Sequence, residues 1–144
     1  MPDRKKDLFQ WPVRVYIEDT DAGGIVFYAN YLRFMERART EFIRDLGFPR
    51  IETVDESAMF VVHSLNIRYL SSACLDDELM VTANVVKVGK TYLDFEQQVW
   101  CGERLLTDAQ VRVACLNRLN RRPSALPDSL SHRIRARLRE SKIS

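Results

Sequence analysis

Asp21 stands in the run Asp19-Thr20-Asp21-Ala22-Gly23-Gly24, between an alternating apolar stretch and a segment of helical period. A carboxylate in that place has two uses. As a structural group, Asp19 or Asp21 binds nearby backbone N–H groups in an Asx turn. As a chemical group, an ionised carboxylate attacks a carbonyl directly or takes a proton from water. The adjacent Gly23 and Gly24 let backbone come close to a ligand. A helix that starts near residues 28–30 turns unpaired N–H groups and its positive end toward the same place. A developing oxyanion needs such donors. Carboxylate plus helix N-terminus is a minimal kit for acyl transfer, and the residue types leave both uses of Asp21 open.

The other reactive residue types are sparse. His63 stands among Val61, Val62 and Leu65 and reads as a core residue; His132 is remote in sequence, and no ligand spacing for a metal ion is present. Cys74, Cys101 and Cys115 form no CxxC pair and read as free thiols that pack as small hydrophobes. Lys90 follows Gly89 in a turn and reads as exposed.

These residues need elements to hold them. Pro12 to Glu18 alternates as a half-buried strand, behind a polar, frayed segment 1–10. From Asn30 to Leu46, Tyr31, Phe34, Met35, Ala38, Phe42 and Ile43 recur at three- and four-residue steps, which makes one apolar helix face. Arg33, Glu36, Arg37, Arg39, Thr40, Glu41, Arg44 and Asp45 take the opposite face, where Arg37 and Glu41 stand one turn apart and can pair. Asn30 is placed to cap the helix and Gly47 to end it. Met59–Val62 with Leu65–Tyr69, then Leu79–Val88, Tyr92–Trp100 and Leu105–Leu116, read as four strands, the first long or bent. Leu130, Ile134 and Leu138 mark a C-terminal amphipathic helix flanked by arginines. The expected division is a flexible N-terminus at 1–10, one domain at 11–127 and a basic helix at 128–144. The order implies an α+β domain in which one helix packs on a curled antiparallel sheet.

Composition sets the outer bounds. The 144 residues carry a net charge of +2 and no apolar run near the ~20 residues of a membrane span. No apolar stretch follows the charged N-terminus, so a cytoplasmic protein is expected. Residues 118–144 hold eight Lys and Arg against two Asp and Glu, which leaves −4 for the remainder. Such a tail fits an anionic partner (a phosphate-bearing ligand, an acyl carrier protein, a membrane surface at the cell envelope) or a solvated helix face. It lacks the interleaved aromatics of a nucleic-acid reader, and no nucleic-acid partner is expected.

The stretch from Val15 to Tyr31, through Asp19-Thr20-Asp21-Ala22-Gly23-Gly24 and Ile25-Val26-Phe27-Tyr28-Ala29-Asn30, continues into Glu36-Arg37-Ala38-Arg39-Thr40-Glu41. It closely resembles the signature of the Tol–Pal-associated acyl-CoA thioesterases of the 4-hydroxybenzoyl-CoA thioesterase family. Trp11-Pro12-Val13-Arg14, Phe60-Val61-Val62 and Ala125-Leu126-Pro127 extend the resemblance over nearly the whole chain. It implies a hotdog fold, a five-stranded antiparallel sheet wrapped around one long helix, with a short C-terminal helix after it. It implies dimers joined sheet edge to sheet edge, often paired into tetramers, that hydrolyse acyl-CoA at the dimer interface without a cofactor beyond the CoA of the substrate. The family's catalytic carboxylate falls on Asp21, and its oxyanion donor, a backbone N–H, on Tyr28. Gly23, Gly24, Asn30, Tyr31, Phe60, Val61 and Lys90 are the expected substrate-binding positions, Lys90 because it matches a basic position that meets the CoA nucleotide in relatives. Many members carry His at the position of Tyr28 and some carry Tyr at that of Ile17, so those side-chain roles do not transfer. The rival expectations are a hotdog hydratase or dehydratase, for which His63 is the candidate, and a non-enzymatic binding module for acyl-CoA or acyl carrier protein.

Overall fold

The computed structural model describes residues 8–50 and 54–143, with side chains described as far as Arg139. Strand β1 (Phe9–Arg14) leads through a short 3₁₀ turn (Ile17–Asp19) to the long helix α1 (Asn30–Asp45). Four strands follow, β2 (Ala58–Tyr69), β3 (Glu78–Val88), β4 (Tyr92–Cys101) and β5 (Arg104–Asn117), and then α2 (Asp128–Ile143). The strands form one antiparallel sheet in the order β1-β3-β4-β5-β2. Helix α1 lies over β3, β1 and β4. Its face of Tyr31, Phe34, Met35, Ala38, Phe42 and Ile43 is buried against Leu79, Val81, Val85, Leu93 and Phe95 of the sheet. This is the α+β hotdog architecture.

The first strand sits earlier than its alternation suggests. Phe9–Arg14 pairs with Ala83–Glu78, while Ile17–Asp19 curls because Asp19 Oδ2 accepts the Tyr16 N–H at 2.9 Å. Of the segment expected to be frayed, Phe9 and Gln10 belong to β1, and residues 1–7 lie outside the described residues. Pro12 is tolerated because β1 is an edge strand.

Strand β2 is the other edge, and it carries a bulge. Val62 faces Val113 but Ser64 faces Arg112, so His63 is the extra residue. The bulge shifts the phase of alternation. Phe60 and Val62 before it, and Leu65, Ile67 and Tyr69 after it, all stand opposite the buried row Cys115, Val113, Val111, Ala109 and Thr107. His63 is therefore an exposed edge residue and not the core histidine its neighbours imply.

At the far end of α1 the Gly47 N–H bonds Arg44 O at 2.9 Å and the Phe48 N–H bonds Ile43 O at 3.2 Å, a Schellman ending. The basic tail meets this end. Leu130 and Ile134 are buried, and Arg133 donates to Leu46 O at 2.6 Å while Arg137 pairs with Asp45 at 2.8 Å. Two of the tail's arginines thus complement the carbonyl end of α1, where cations are favoured. Within α1, Glu41 pairs with Arg44 and not with Arg37, whose guanidinium lies over the Phe34 ring. Arg39, expected on the solvated face, is half-buried and bonds Gln97 in the core at 2.8 Å.

Candidate active site

The run around Asp21 forms a small hairpin. The Asp21 N–H bonds Ile25 O at 3.0 Å, the Gly24 N–H bonds Asp21 O at 3.0 Å, and Thr20 bridges Val26. Gly24 has φ +80°, the left-handed residue that closes a three-residue loop of this kind. The hairpin is strapped to the segment before β3, with the Val26 N–H on Ala73 O at 2.9 Å and the Leu75 N–H on Gly24 O at 3.3 Å. At the exposed tip, Gly23 N–H donates to Asp21 Oδ1 at 2.8 Å. A Cβ at Gly23 would lie 3.3 Å from that oxygen, so a side chain there would crowd the carboxylate. Among the described residues Oδ2 has no partner. Asp21 thus takes up the Asx turn with one oxygen and presents the other.

Sequence reasoning missed what ties this hairpin to the helix. Asp19 is only 6% exposed; besides the Tyr16 N–H, it accepts the Asn30 side-chain amide on Oδ1 at 2.7 Å. Asn30 therefore does not cap α1: Ala29 holds the cap position without a side-chain bond, and Asn30 is the first helical residue, buried on Asp19. Asn30→Ala leaves a buried carboxylate oxygen without a partner and is expected to cost about 2–3 kcal/mol. Denaturant unfolding measures it; a loss under about 0.5 kcal/mol, the range of neutral surface changes, would mean the clamp holds nothing.

The start of α1 offers donors. Among the described residues, the N–H groups of Tyr28 and Ala29 have no hydrogen-bond partner. Tyr28 is 63% exposed, and its carbonyl accepts the Tyr69 hydroxyl at 3.0 Å. Tyr69, at the end of the edge strand, also stacks edge-on with the rings of Tyr28 and Tyr31. The terminal aromatic of the strand was the signal for this contact, but its target was not readable. Tyr31 is 2% exposed and its hydroxyl accepts the Ala73 N–H at 3.0 Å. Burial pushes the phenols of Tyr31 and Tyr69 up, so both stay protonated at neutral pH. The side chains of Asn30 and Tyr31 thus make their hydrogen bonds inside the protomer.

The remaining candidates lie elsewhere in a single chain. Phe60 and Val61 line a groove of about 400 Å³ between the second half of α1 and the first half of β2, together with Ile43, Leu93, Phe95 and Arg39. Tyr28 meets β2 at its other end, through Tyr69. Lys90 is exposed in the turn after β3, whereas the Asp21 hairpin is strapped to the segment before β3. One protomer therefore holds Asp21, Gly23 and Gly24 in one hairpin whose second arm runs on to Tyr28, while Phe60, Val61 and Lys90 lie on other elements. Around the hairpin stand exposed apolar side chains, with Ile17 76% exposed and Tyr16, Ile25, Phe27 and Leu75 beside it in the chain or across its straps. Cys74, bridged to Ile25, is exposed and not packed as its surroundings in sequence suggested. Among the described residues no three His, Cys, Asp or Glu side chains gather as metal ligands.

Residues 23–107 match the thioesterase superfamily model. The acyl-CoA thioesterase YbgC of Haemophilus influenzae is 46% identical over 120 residues, which cover 83% of this chain and 88% of that one. Among solved structures, a probable thioesterase of Bartonella henselae superposes with a TM-score of 0.75 at 34% identity, over 83% of this chain and 98% of the other. A thioesterase of Thermus thermophilus complexed with coenzyme A and zinc gives a TM-score of 0.77 at 27% identity, over 92% and 96%. On sequence and fold together, the chain belongs to the thioesterase superfamily and is a thioester hydrolase of the hotdog fold.

Proposed function

We propose that the chain hydrolyses acyl-CoA thioesters to a carboxylic acid and CoA, with Asp21 as the catalytic carboxylate. The observation that carries this is the loop geometry: one Asp21 oxygen is fixed by Gly23 N–H, the other is open, and the unpaired amides of Tyr28 and Ala29 begin the adjoining helix. Asp21 either attacks the acyl carbon, giving an anhydride that water then opens, or removes a proton from the attacking water. The Tyr28 N–H and the helix dipole hold the oxyanion. CoA leaves as a thiolate, so no strong acid is required and no cofactor takes part.

The complete site needs two copies. Strand β2 has an unpaired outer edge, and on its inward face Val62, Leu65 and Tyr69 remain exposed. A two-fold axis through the middle of β2, near His63 and Ser64, pairs the whole strand with its copy and sets Phe60 opposite Ile67 of the second chain. The groove of one copy then adjoins the Tyr69, Tyr28 and Asp21 end of the other. Dimers of this kind, paired again into tetramers, are the proposed assembly, acting in the cytoplasm on CoA as the carrier. The domain spans 11–127, with 128–144 as the basic tail whose helix α2 braces α1. Lys90 is assigned to the CoA nucleotide.

The test is thiol release from a panel of saturated acyl-CoAs by the purified protein, with the same acyl groups on acyl carrier protein run beside them. Hydrolysis of the CoA series is expected. Failure to release thiol from any member sinks the reading. Crotonyl-CoA serves the hydratase alternative: loss of enoyl absorbance without thiol release would make the chain a hydratase, and the exposed position of His63 gives that chemistry no buried imidazole.

A further inference from the structure

The groove between α1 and β2 contains a charge that the fold does not neutralise. Its walls are apolar at Ile43, Phe60, Val61, Leu93 and Phe95, and Arg39 enters it from α1. Of the other arginines on or against α1, Arg44 pairs with Glu41, Arg137 with Asp45, Arg133 closes on Leu46 O, and Arg37 covers Phe34; Arg33 is exposed, and Arg50 stands at the groove beside Arg39. Arg39 makes one hydrogen bond, to the neutral amide oxygen of Gln97, and among the described residues it has no ion pair. Gln97 does not need that bond to be held, because its amide nitrogen already donates to Met35 O at 3.0 Å and to Thr82 O at 3.1 Å. A guanidinium has five donor hydrogens. Thr107 Oγ1 is the one fully buried side-chain polar atom left without a partner among the described residues, so the remaining nitrogens of Arg39 are not sealed in the core. They open to the groove.

Half-burying a cation against apolar walls costs free energy unless an anion completes it. Burial holds the Arg39 guanidinium below its ordinary pKa, with Glu36 acting in the opposite sense from the groove's rim. Glu36 is itself exposed and does not reach ion-pair distance. The Gln97 bond takes up Nη1, which leaves the Nε and Nη2 edge of the fork, the edge that can receive a carboxylate through two parallel bonds.

We propose that this groove is the acyl subsite and that Arg39 binds a carboxylate at the distal end of the acyl group, making the preferred substrates short dicarboxylic monothioesters of CoA. The inference rests on the proposed hydrolysis and on the β2 pairing that brings the groove to the partner's Asp21. The apolar walls take the methylene chain, and the guanidinium takes its charged end.

Matched pairs of substrates test it: adipyl-CoA against hexanoyl-CoA, and glutaryl-CoA against pentanoyl-CoA. The wild-type protein is expected to favour the carboxylate-ended member of each pair by at least about 10-fold in kcat/KM. Arg39→Met is expected to abolish that preference, cutting the kcat/KM ratio of the carboxylate-ended member to the neutral one by about 100-fold, the usual consequence of removing one half of a buried charged pair. Arg39→Lys is expected to retain part of the preference, as a point charge without the fork. A wild-type preference for the neutral members overturns the proposal, and this needs no variant to fold. Equal losses on both members make Arg39 a structural residue. A rise in KM shared by all four thioesters, with kcat kept, assigns it to the CoA moiety. All three results defeat the proposal. Titration of adipyl-CoA and hexanoyl-CoA onto Asp21→Asn reads the subsite without turnover. Tighter binding of adipyl-CoA there supports the subsite even if no thioester is hydrolysed by the wild type, and equal binding refutes it.

Discussion

Asp21→Asn is expected to lower kcat by about 10²–10⁴, the ordinary worth of a positioned acid, base or nucleophile, with KM and folding stability little changed. The separation of effects follows from the loop. An asparagine Oδ1 still accepts the Gly23 N–H that Asp21 Oδ1 now accepts, so the Asx turn and the hairpin survive. The residue is exposed, and the hairpin is held by backbone bonds to Ile25, Ala73 and Leu75 that the substitution does not touch. What disappears is the negative charge on the free oxygen. Thiol release under saturating acyl-CoA measures kcat, and denaturant unfolding measures stability. Turnover near the wild-type rate in the variant would remove Asp21 from the mechanism. The wild-type protein also tests for a nucleophile: label in the Asp21 carboxylate after many turnovers in ¹⁸O-water demands an anhydride opened by water at the Asp21 carbonyl, whereas a base route, or opening at the acyl carbon, puts the label only in the product acid. Asp21→Ala is expected to fall below Asp21→Asn in stability, because it also removes the acceptor of the turn.

Periodicity made the elements legible and left their partners hidden. The three- and four-residue recurrence from Tyr31 to Ile43 marked the buried face of α1, and the alternation Leu93, Phe95, Gln97, Val99 marked that of β4. Strand order did not follow, because nothing local says that β2 pairs with the last strand and leaves an open edge. The bulge at His63 was invisible for the same reason: only the cross-strand register with β5 shows that Leu65, Ile67 and Tyr69 share a face with Phe60 and Val62. Around Asp21 the turn itself was legible, because turn formers ahead of a helix form a short local pattern. The Asp19–Asn30 clamp joins residues eleven apart through side chains. Both read more naturally as turn and cap residues, and their own backbones offered nearer partners. Arg39 was misassigned because a helical wheel puts charge on the solvated side, whereas a polar acceptor, Gln97, waits for it in the core sheet.

The second large effect concerns the open edge. Leu65→Arg is expected to yield a folded but monomeric protein whose kcat/KM falls by at least about 100-fold, the loss that follows when a catalytic geometry is no longer assembled. In one protomer Leu65 is 40% exposed, so a longer polar side chain has room and the fold is not threatened. Against a second copy the same position faces Val62 of the second chain, so the arginine of each chain is desolvated against apolar surface. Light scattering reads the mass, and thiol release reads the activity. A monomeric wild type, or a monomeric variant with full activity, would end the two-copy site. Mixing gives a sharper reading. Asp21→Asn lacks the carboxylate, and Thr40→Trp, on α1 and away from the β2 edge, fills the groove, so each is inactive alone. If Asp21 of one chain works with the groove of the other, a mixed dimer contains one site with both parts intact, and activity returns on mixing. If both parts of a site came from the same chain, each site of the mixed dimer would carry one defect and no activity would appear. The β2 pairing therefore predicts not only loss by substitution but recovery by combination, which a purely structural role for the edge strand does not give.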